Sequence, residues 1–288
     1  MTHAYRTRSF SCVLPPAATV AGRWGGLLAG ALLGLLLLGG CAAGAGGMGA
    51  GGSSAEPMTE SDEPDARKRA RLRLELATGY FEQGQTTVAL DEIKQSLAAD
   101  PTYVAAHVLR GLVFMQLNNN RLAEESFQRA LQLNPRDPDA LHNYGWYACQ
   151  LGRHREAVDL FTRALASPVY VGQAKTLMAK GICQVRMGQF AEAEGSFSRS
   201  YEIDAGNPIT GYNLASLLYR RGDFSRAQFY IRRLNNSELA NAETLWLGIK
   251  VERRLSNLEA LGQLAQQLGR RYPQSREWAS YQRGAFDE

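Results

Sequence analysis

The chain has 288 residues, of which 45% are hydrophobic and 21% charged, and a formal net charge of +4. Residues 1–40 contain three arginines and no acidic residue, so the rest of the chain carries 29 basic and 28 acidic side chains. A nearly neutral chain gives no reason to expect a nucleic-acid surface or a polybasic membrane surface.

Residues 1–40 have the pattern of a secretory signal peptide. Three arginines, Arg6, Arg8 and Arg23, precede a leucine-rich apolar run from Trp24 to Leu38. The run has about 15 residues, whereas a membrane-spanning helix needs about 20. A basic flank, a short apolar segment and small residues after it predict a cleaved leader.

The end of this leader, Leu38-Gly39-Gly40-Cys41, resembles the bacterial lipobox. The resemblance implies cleavage before Cys41 and acylation of that cysteine, and Ala42 after it implies sorting to the outer membrane. A processed lipoprotein carries three acyl chains, and stable anchoring takes more than one. We therefore expect a lipid-anchored protein whose folded part lies in the periplasm. The alternative is a plain signal peptide with an incidental cysteine.

Residues 41–66 predict a lipidated flexible linker. They are rich in glycine, alanine and serine and then acidic, without apolar periodicity. A linker of this length reaches roughly 28 Å. The glycine-rich part lacks the lysine, the preceding strand and the following helix of a phosphate-binding loop.

Residues 67–288 repeat with a period of 34. Prolines recur at Pro101 and Pro135, and turn residues at Gly84, Asn118 and Gly152. Within the second helix of each unit, small residues recur at Ala89, Ala123 and Ala157, and large ones at Ile93, Phe127 and Phe161. The pattern slips by two residues near Pro168 and then resumes at Gly188, Ala193 and Phe197.

This period resembles the tetratricopeptide repeat (TPR), in which two helices form each unit. It predicts an all-α protein, a right-handed TPR superhelix of about six helix-turn-helix repeats. The predicted repeats are 70–103, 104–137, 138–173, 174–207, 208–240 and 241–274, followed by a short C-terminal tail. We expect small residues where the two helices of a repeat approach, such as Gly111, Ala123 and Ala130 in the second. The alternative is an ordinary helical bundle with chance spacing.

Cys149 and Cys183 lie in the first helices of the third and fourth repeats. An oxidising compartment would allow a disulfide between them. They occupy different positions within their repeats, however, so we expect their side chains to point in different directions. The sequence therefore favours two small core residues over a disulfide.

No catalytic or metal-binding pattern accompanies the repeats. The four histidines, including His107 and His142, have no metal-ligand spacing with cysteine or carboxylate. The chain has no nucleophile elbow and no Walker loop. We therefore expect no enzymatic activity, cofactor, metal or small-molecule substrate.

The mature chain as a whole resembles the type IV pilus biogenesis and stability lipoproteins, the pilotins of the PilW/PilF type. Four stretches and the C-terminal part carry the resemblance: Leu141–Gly145, Ser167–Tyr170, Ala215–Tyr219, Leu245–Ile249 and Leu268–Ser275. It implies a non-enzymatic lipoprotein that escorts the pilus secretin subunit to the outer membrane and promotes its multimerisation, supporting pilus biogenesis and twitching motility. The alternative is a TPR lipoprotein adaptor that recruits a periplasmic protease or a peptidoglycan hydrolase.

In TPR superhelices a fixed set of first-helix positions lines the inner surface, where peptides bind. In this register the positions are Leu74, Thr78, Phe81, Ala105, Val108, Leu112, Met115, His142, Trp146 and Cys149. Exposed apolar surface of this extent usually marks an interaction site. We therefore expect the partner-binding groove in the first two or three repeats, with Phe81, Leu112 and Trp146 as anchors. The alternative is that the linker or the N-terminal helix covers this surface.

Overall fold

A computed structural model of the chain describes residues 63–287. The signal peptide, Cys41 and residues 41–62 of the predicted linker lie outside the described residues. The described part contains helices and no strand, which confirms the all-α prediction. The repeats form one compact unit that begins at Arg69.

Six consecutive helix pairs form a TPR superhelix, and a thirteenth helix follows them. The helices are α1 (Asp65–Glu82), α2 (Thr86–Ala99), α3 (Val104–Gln116), α4 (Asn120–Leu133), α5 (Pro138–Gln150), α6 (His154–Leu165), α7 (Gln173–Arg186), α8 (Phe190–Ile203), α9 (Pro208–Arg220), α10 (Phe224–Asn235), α11 (Ala242–Arg254), α12 (Leu258–Arg271) and α13 (Arg276–Gln282). No helix among residues 63–287 is long and apolar enough to cross a membrane.

A glycine opposite a phenylalanine sets the spacing of the two helices in three repeats. A Cβ atom on Gly111 would lie 2.7 Å from the ring of Phe127, far inside van der Waals contact. The same pairing recurs one repeat later, between Gly145 and Phe161, and two repeats later, between Gly181 and Phe197. Ala123 and Ala130 are fully buried. The prediction of small residues at this helix approach is therefore confirmed.

The turn between the two helices of a repeat needs a left-handed residue. Four repeats use glycine there, with φ between 75° and 85°, at Gly84, Gly152, Gly188 and Gly222. The second and sixth repeats place Asn118 and Ser256 in the same conformation, with φ of 56° and 57°. A side chain with a Cβ atom strains this conformation, and asparagine tolerates it better than serine.

Ser256→Gly is expected to stabilise the sixth repeat. Glycine removes the left-handed strain, which amounts to about 1 kcal/mol. A rise of the unfolding midpoint in a urea titration, with an unchanged slope, would be the expected result. Gly152→Ser serves as the reciprocal variant and should lower the midpoint by a similar amount. If Ser256→Gly lowers the midpoint, the turn is not strained as described.

The C-terminal tail is helical and covers the last repeat. Trp278 and Tyr281 of α13, with Phe286 beyond it, pack against a buried cluster around Leu245 and Ile249. Phe286 stacks on Trp246 with ring centroids 5.3 Å apart, and the guanidinium carbon of Arg253 lies 4.0 Å from the centroid of the Phe286 ring. A terminal repeat needs such a cover because no further repeat buries its apolar face.

A disulfide joins Cys149 of α5 to Cys183 of α7, with Cα atoms 6.0 Å apart and both side chains fully buried. The expectation of two unbonded core cysteines is therefore wrong. Cys183 is equivalent in its repeat to Tyr147, two positions before Cys149. Two positions along a helix turn a side chain by about 200°, almost to the opposite side. A first helix contacts the preceding repeat on one side and the next repeat on the other, so this offset is what brings the two sulfur atoms together.

Candidate functional site: the inner surface of the first three repeats

The predicted groove residues lie on the first helices α1, α3 and α5, and the structure exposes only some of them. Leu112, Met115 and Trp146 are partly buried. All three pack against one buried cluster that contains Val108, Tyr144 and both disulfide cysteines. We call Leu112, Met115 and Trp146 the inner patch. It is a partly exposed apolar surface that packs on the core beneath it.

The first repeat contributes a separate part of the predicted groove. Phe81 is half-buried and packs against the cluster around Ile93 and Leu109 rather than against the core beneath the inner patch. The Thr78 hydroxyl donates a hydrogen bond to the carbonyl of Leu74 at 2.9 Å, so its polar atom is already engaged within α1. Ala105 is exposed but small.

Three other predicted groove residues are core residues. Leu74 is 9% exposed, Val108 7% and His142 6%. Cys149 is also fully buried, in the disulfide. Their inclusion in the contact surface was wrong. The reason is that neighbouring helices, both first and second, cover positions that a single helix would expose: His142, for example, lies against Phe161 of α6 and Thr176 of α7.

His142 holds the irregular segment between α6 and α7 in place. Its Nδ1 lies 2.8 Å from the Thr176 hydroxyl, which lies 3.0 Å from the hydroxyl of buried Tyr170. Burial, with a smaller contribution from the charge of Lys175, lowers the pKa of His142 to about 3. Burial also raises the pKa of Tyr170 to about 12. The two-residue slip in the repeat pattern is thus accommodated by a neutral hydrogen-bonded network.

Acid is expected to destabilise the protein through His142. The unfolded chain binds a proton at this side chain near pH 6.5 and the folded chain only near pH 3, so acidification favours unfolding between these values. Each pH unit in this range costs about 1.4 kcal/mol, or about 2 kcal/mol from neutral pH to pH 5. His142→Asn, which keeps a polar atom near Thr176, should reduce the pH dependence of the urea midpoint. Burial lowers the pKa of His107 and of His154 too, and these leave a residual slope. An identical pH dependence in the variant would contradict this assignment.

A charged cluster connects the second and third repeats. Arg153 donates to both oxygens of Glu124, at 3.1 and 2.7 Å, and the Tyr144 hydroxyl also donates to Glu124. Burial opposes ionisation of Glu124, but the hydrogen bonds from Arg153 and Tyr144 outweigh it and hold the pKa of this carboxyl below its ordinary value. Sequence reasoning missed this cluster because its members lie 20 and 29 residues from Glu124 in the chain.

Two first-helix positions after the third repeat carry charged side chains that have partners within the protein. The Arg186 guanidinium donates to the Cys149 carbonyl at 3.2 Å, and burial lowers the pKa of Arg186. Glu252, which the repeat register also places among these first-helix positions, is instead fully buried and paired with Arg232 at 2.6 Å. Across residues 63–287, no group of three or more His, Cys, Asp or Glu side chains could hold a metal ion. The chemistry that the inner surface offers is apolar contact area in its first half.

Comparison with known proteins agrees with this architecture. A tetratricopeptide-repeat family model matches residues 74–138, 109–170 and 145–208. PilF of Pseudomonas aeruginosa, a type IV pilus assembly protein, is 26% identical over 209 residues, which are 73% of this chain and 83% of PilF. A solved structure of P. aeruginosa PilF covers 77% of this chain and all of its own, with a TM-score of 0.71 and 25% identity.

The crystal structure of PilW, a widely conserved type IV pilus biogenesis factor, is 30% identical to this chain. It covers 74% of this chain and 97% of PilW, with a TM-score of 0.67. The chain belongs to the PilF/PilW family of type IV pilus biogenesis proteins. The resemblance recognised in the sequence is therefore confirmed, and the TPR unit of this PilF/PilW-family chain is a scaffold for protein contacts.

Proposed function

We propose that the chain is an outer-membrane pilotin. It binds the type IV pilus secretin subunit, brings it to the outer membrane and promotes its multimerisation. The observation that carries the proposal is the inner patch, a partly exposed apolar surface in a chain of the PilF/PilW family. An apolar patch on a rigid superhelix suits an extended or helical segment of a partner, which would bury Leu112 and Trp146.

The buried disulfide supports a periplasmic location. Disulfides persist in oxidising compartments and are rare in the cytosol. The Cys149–Cys183 bond crosses two repeats in the middle of the array and contributes to the core. A chain that leaves the cytosol with its leader would form this bond after export.

Capture of partners from detergent-solubilised envelopes tests the proposal. The tagged chain should retain the secretin subunit in quantity, and Leu112→Asp should remove it. Retention of a periplasmic protease or a peptidoglycan hydrolase, with no secretin, would instead support the adaptor alternative and overturn the proposal.

Cys41→Ser is expected to release the chain from the membrane. The variant cannot be acylated, so the folded part should move from the outer-membrane fraction to the soluble periplasm, and the secretin that it escorts should be mislocalised. Fractionation with immunodetection measures both effects. Cys12→Ser, which changes a cysteine within the predicted leader, is the matched control and should leave the location unchanged. A serine variant at position 41 that still fractionates with the outer membrane would contradict the lipid anchor.

A further inference from the structure

The first repeat carries a concentration of positive charge that the net charge of the chain conceals. Five of the seven residues from Arg67 to Arg73 are basic, in the sequence RKRARLR. They lie in the first half of α1, which begins at Asp65. The N-terminal end of a helix dipole favours negative charge, so basic residues near this end do not help the helix to form. Arg71 pairs with Glu75 and Arg73 with Glu92, so part of the cluster has structural partners, and what remains to be explained is the exposed face of α1.

The outward face of α1 combines these charges with apolar side chains. Ala70, Leu74 and Ala77 point to the core. Leu72 and Leu76 are 48% and 51% exposed, and they lie four residues apart on one face of the helix. Arg69 and Arg73 are exposed beside them. We call Arg69, Leu72, Arg73 and Leu76 the α1 outer face.

The arginines of the α1 outer face remain available to a ligand. Arg73 pairs with Glu92 at 3.0 Å, but its side chain is 45% exposed. The Arg69 side chain makes no hydrogen bond or ion pair with another residue in the range 63–287 and is exposed. The outer face of a terminal repeat is ordinarily polar for solubility, and two exposed leucines among arginines depart from that rule.

We propose that the α1 outer face rests on an anionic phospholipid surface. Its arginines contact lipid phosphates, and Leu72 and Leu76 enter the boundary between headgroups and acyl chains, as in interfacial amphipathic helices. The net charge of the chain gave no reason to expect a polybasic membrane surface. The proposed surface is instead local and is confined to α1.

The choice of a lipid bilayer as the ligand of the α1 outer face rests on the proposed lipid anchor at Cys41. The sequence predicts a linker of 23 residues, 42–64, between Cys41 and the start of α1 at Asp65, and a flexible chain of that length would reach about 26 Å. Anchoring at Cys41 would hold the α1 outer face at a high effective concentration relative to the bilayer. The anchor would bring the α1 outer face to the bilayer, and it would not bring this face to a protein partner in the same way.

Vesicle flotation tests the proposal with a chain that begins at Ala42. All residues of the four apolar clusters lie between Leu74 and Phe286, so this chain retains the whole core and has no acyl chain. It should float with vesicles of phosphatidylglycerol and phosphatidylcholine at low ionic strength, and not with phosphatidylcholine alone. Added salt should release it, because screening weakens contacts between exposed charges.

The variant Arg69→Glu, Leu72→Ser, Leu76→Ser should lose this binding. Removal of one arginine from an anionic surface weakens association about fivefold, and charge reversal and loss of the leucines weaken it further. Leu258→Ser with Arg270→Glu is the matched control, because both residues are exposed on α12 in the last repeat, and it should float like the parent.

Equal flotation of the triple variant and the parent, or no flotation of the parent, would overturn the membrane assignment. Loss of secretin capture by the triple variant, without vesicle binding by the parent, would show a protein interface and also overturn it. None of these results tests the lipid anchor, which Cys41→Ser tests separately, or the inner patch.

Discussion

Replacement of both Cys149 and Cys183 by alanine is expected to lower the free energy of unfolding by about 3–4 kcal/mol. The bond closes a loop across 34 residues, and the stabilisation follows from the entropy that this closure removes from the unfolded chain. Both side chains are fully buried in the cluster beneath the inner patch, so the loss of packing adds to the effect.

Urea titration of the parent and the double variant, with and without reductant, measures this contribution. Reductant should lower the midpoint of the parent, once the chain opens enough to admit it, and leave the double variant unchanged. Ala148→Ser, beside Cys149 and also fully buried, is a control for disturbing this helix while the disulfide remains. A parent whose midpoint is the same with and without reductant, and equal to that of the variant, would contradict a disulfide in the folded protein.

Leu112→Asp combined with Trp146→Ala is expected to weaken binding of the secretin segment by about 4 kcal/mol, roughly a thousandfold. Both side chains belong to the inner patch and pack against the same core, so they would form the centre of the contact. Phe81→Ala should add a separate loss, because Phe81 packs against another cluster.

Isothermal titration with the purified secretin subunit measures this effect, and circular dichroism melting shows that the variants remain folded. Leu117→Asp with Phe229→Ala is a matched control, since these side chains are 46% and 60% exposed outside the inner patch. If the inner-patch variant stays folded and binds as tightly as the parent, the segment binds elsewhere.

The repeats were predictable because packing imposes the period. Gly111 must face Phe127, and Gly84 must take a left-handed turn, so both residue types recur wherever the geometry recurs. Helix α13 was not predicted because it has no repeat partner and its aromatic residues fit only this last repeat. The disulfide was not predicted because two cysteines at different repeat positions were expected to point in different directions. Neighbouring first helices face each other with opposite sides, so an offset of two positions brings the sulfur atoms together.

The sequence predicted which helices carry the candidate surface, but not which of its residues are exposed. The register placed Leu112, Met115 and Trp146 on first helices, where the structure leaves them partly exposed. It could not show that Val108 and His142 are covered, because that depends on how the neighbouring helices pack against them. The cluster of positive charge on α1 was not predicted, because acidic residues elsewhere in the mature chain cancel it in the net charge.

The most direct test of the central claim is the amount of secretin multimer in the outer-membrane fraction of cells with and without the chain. The account predicts abundant multimers with the parent chain and a large loss when the chain is absent. Cys41→Ser and the inner-patch variant should each reproduce that loss, one by losing the address and the other by losing the contact. Undiminished multimers in cells that lack the chain would contradict a role in secretin assembly.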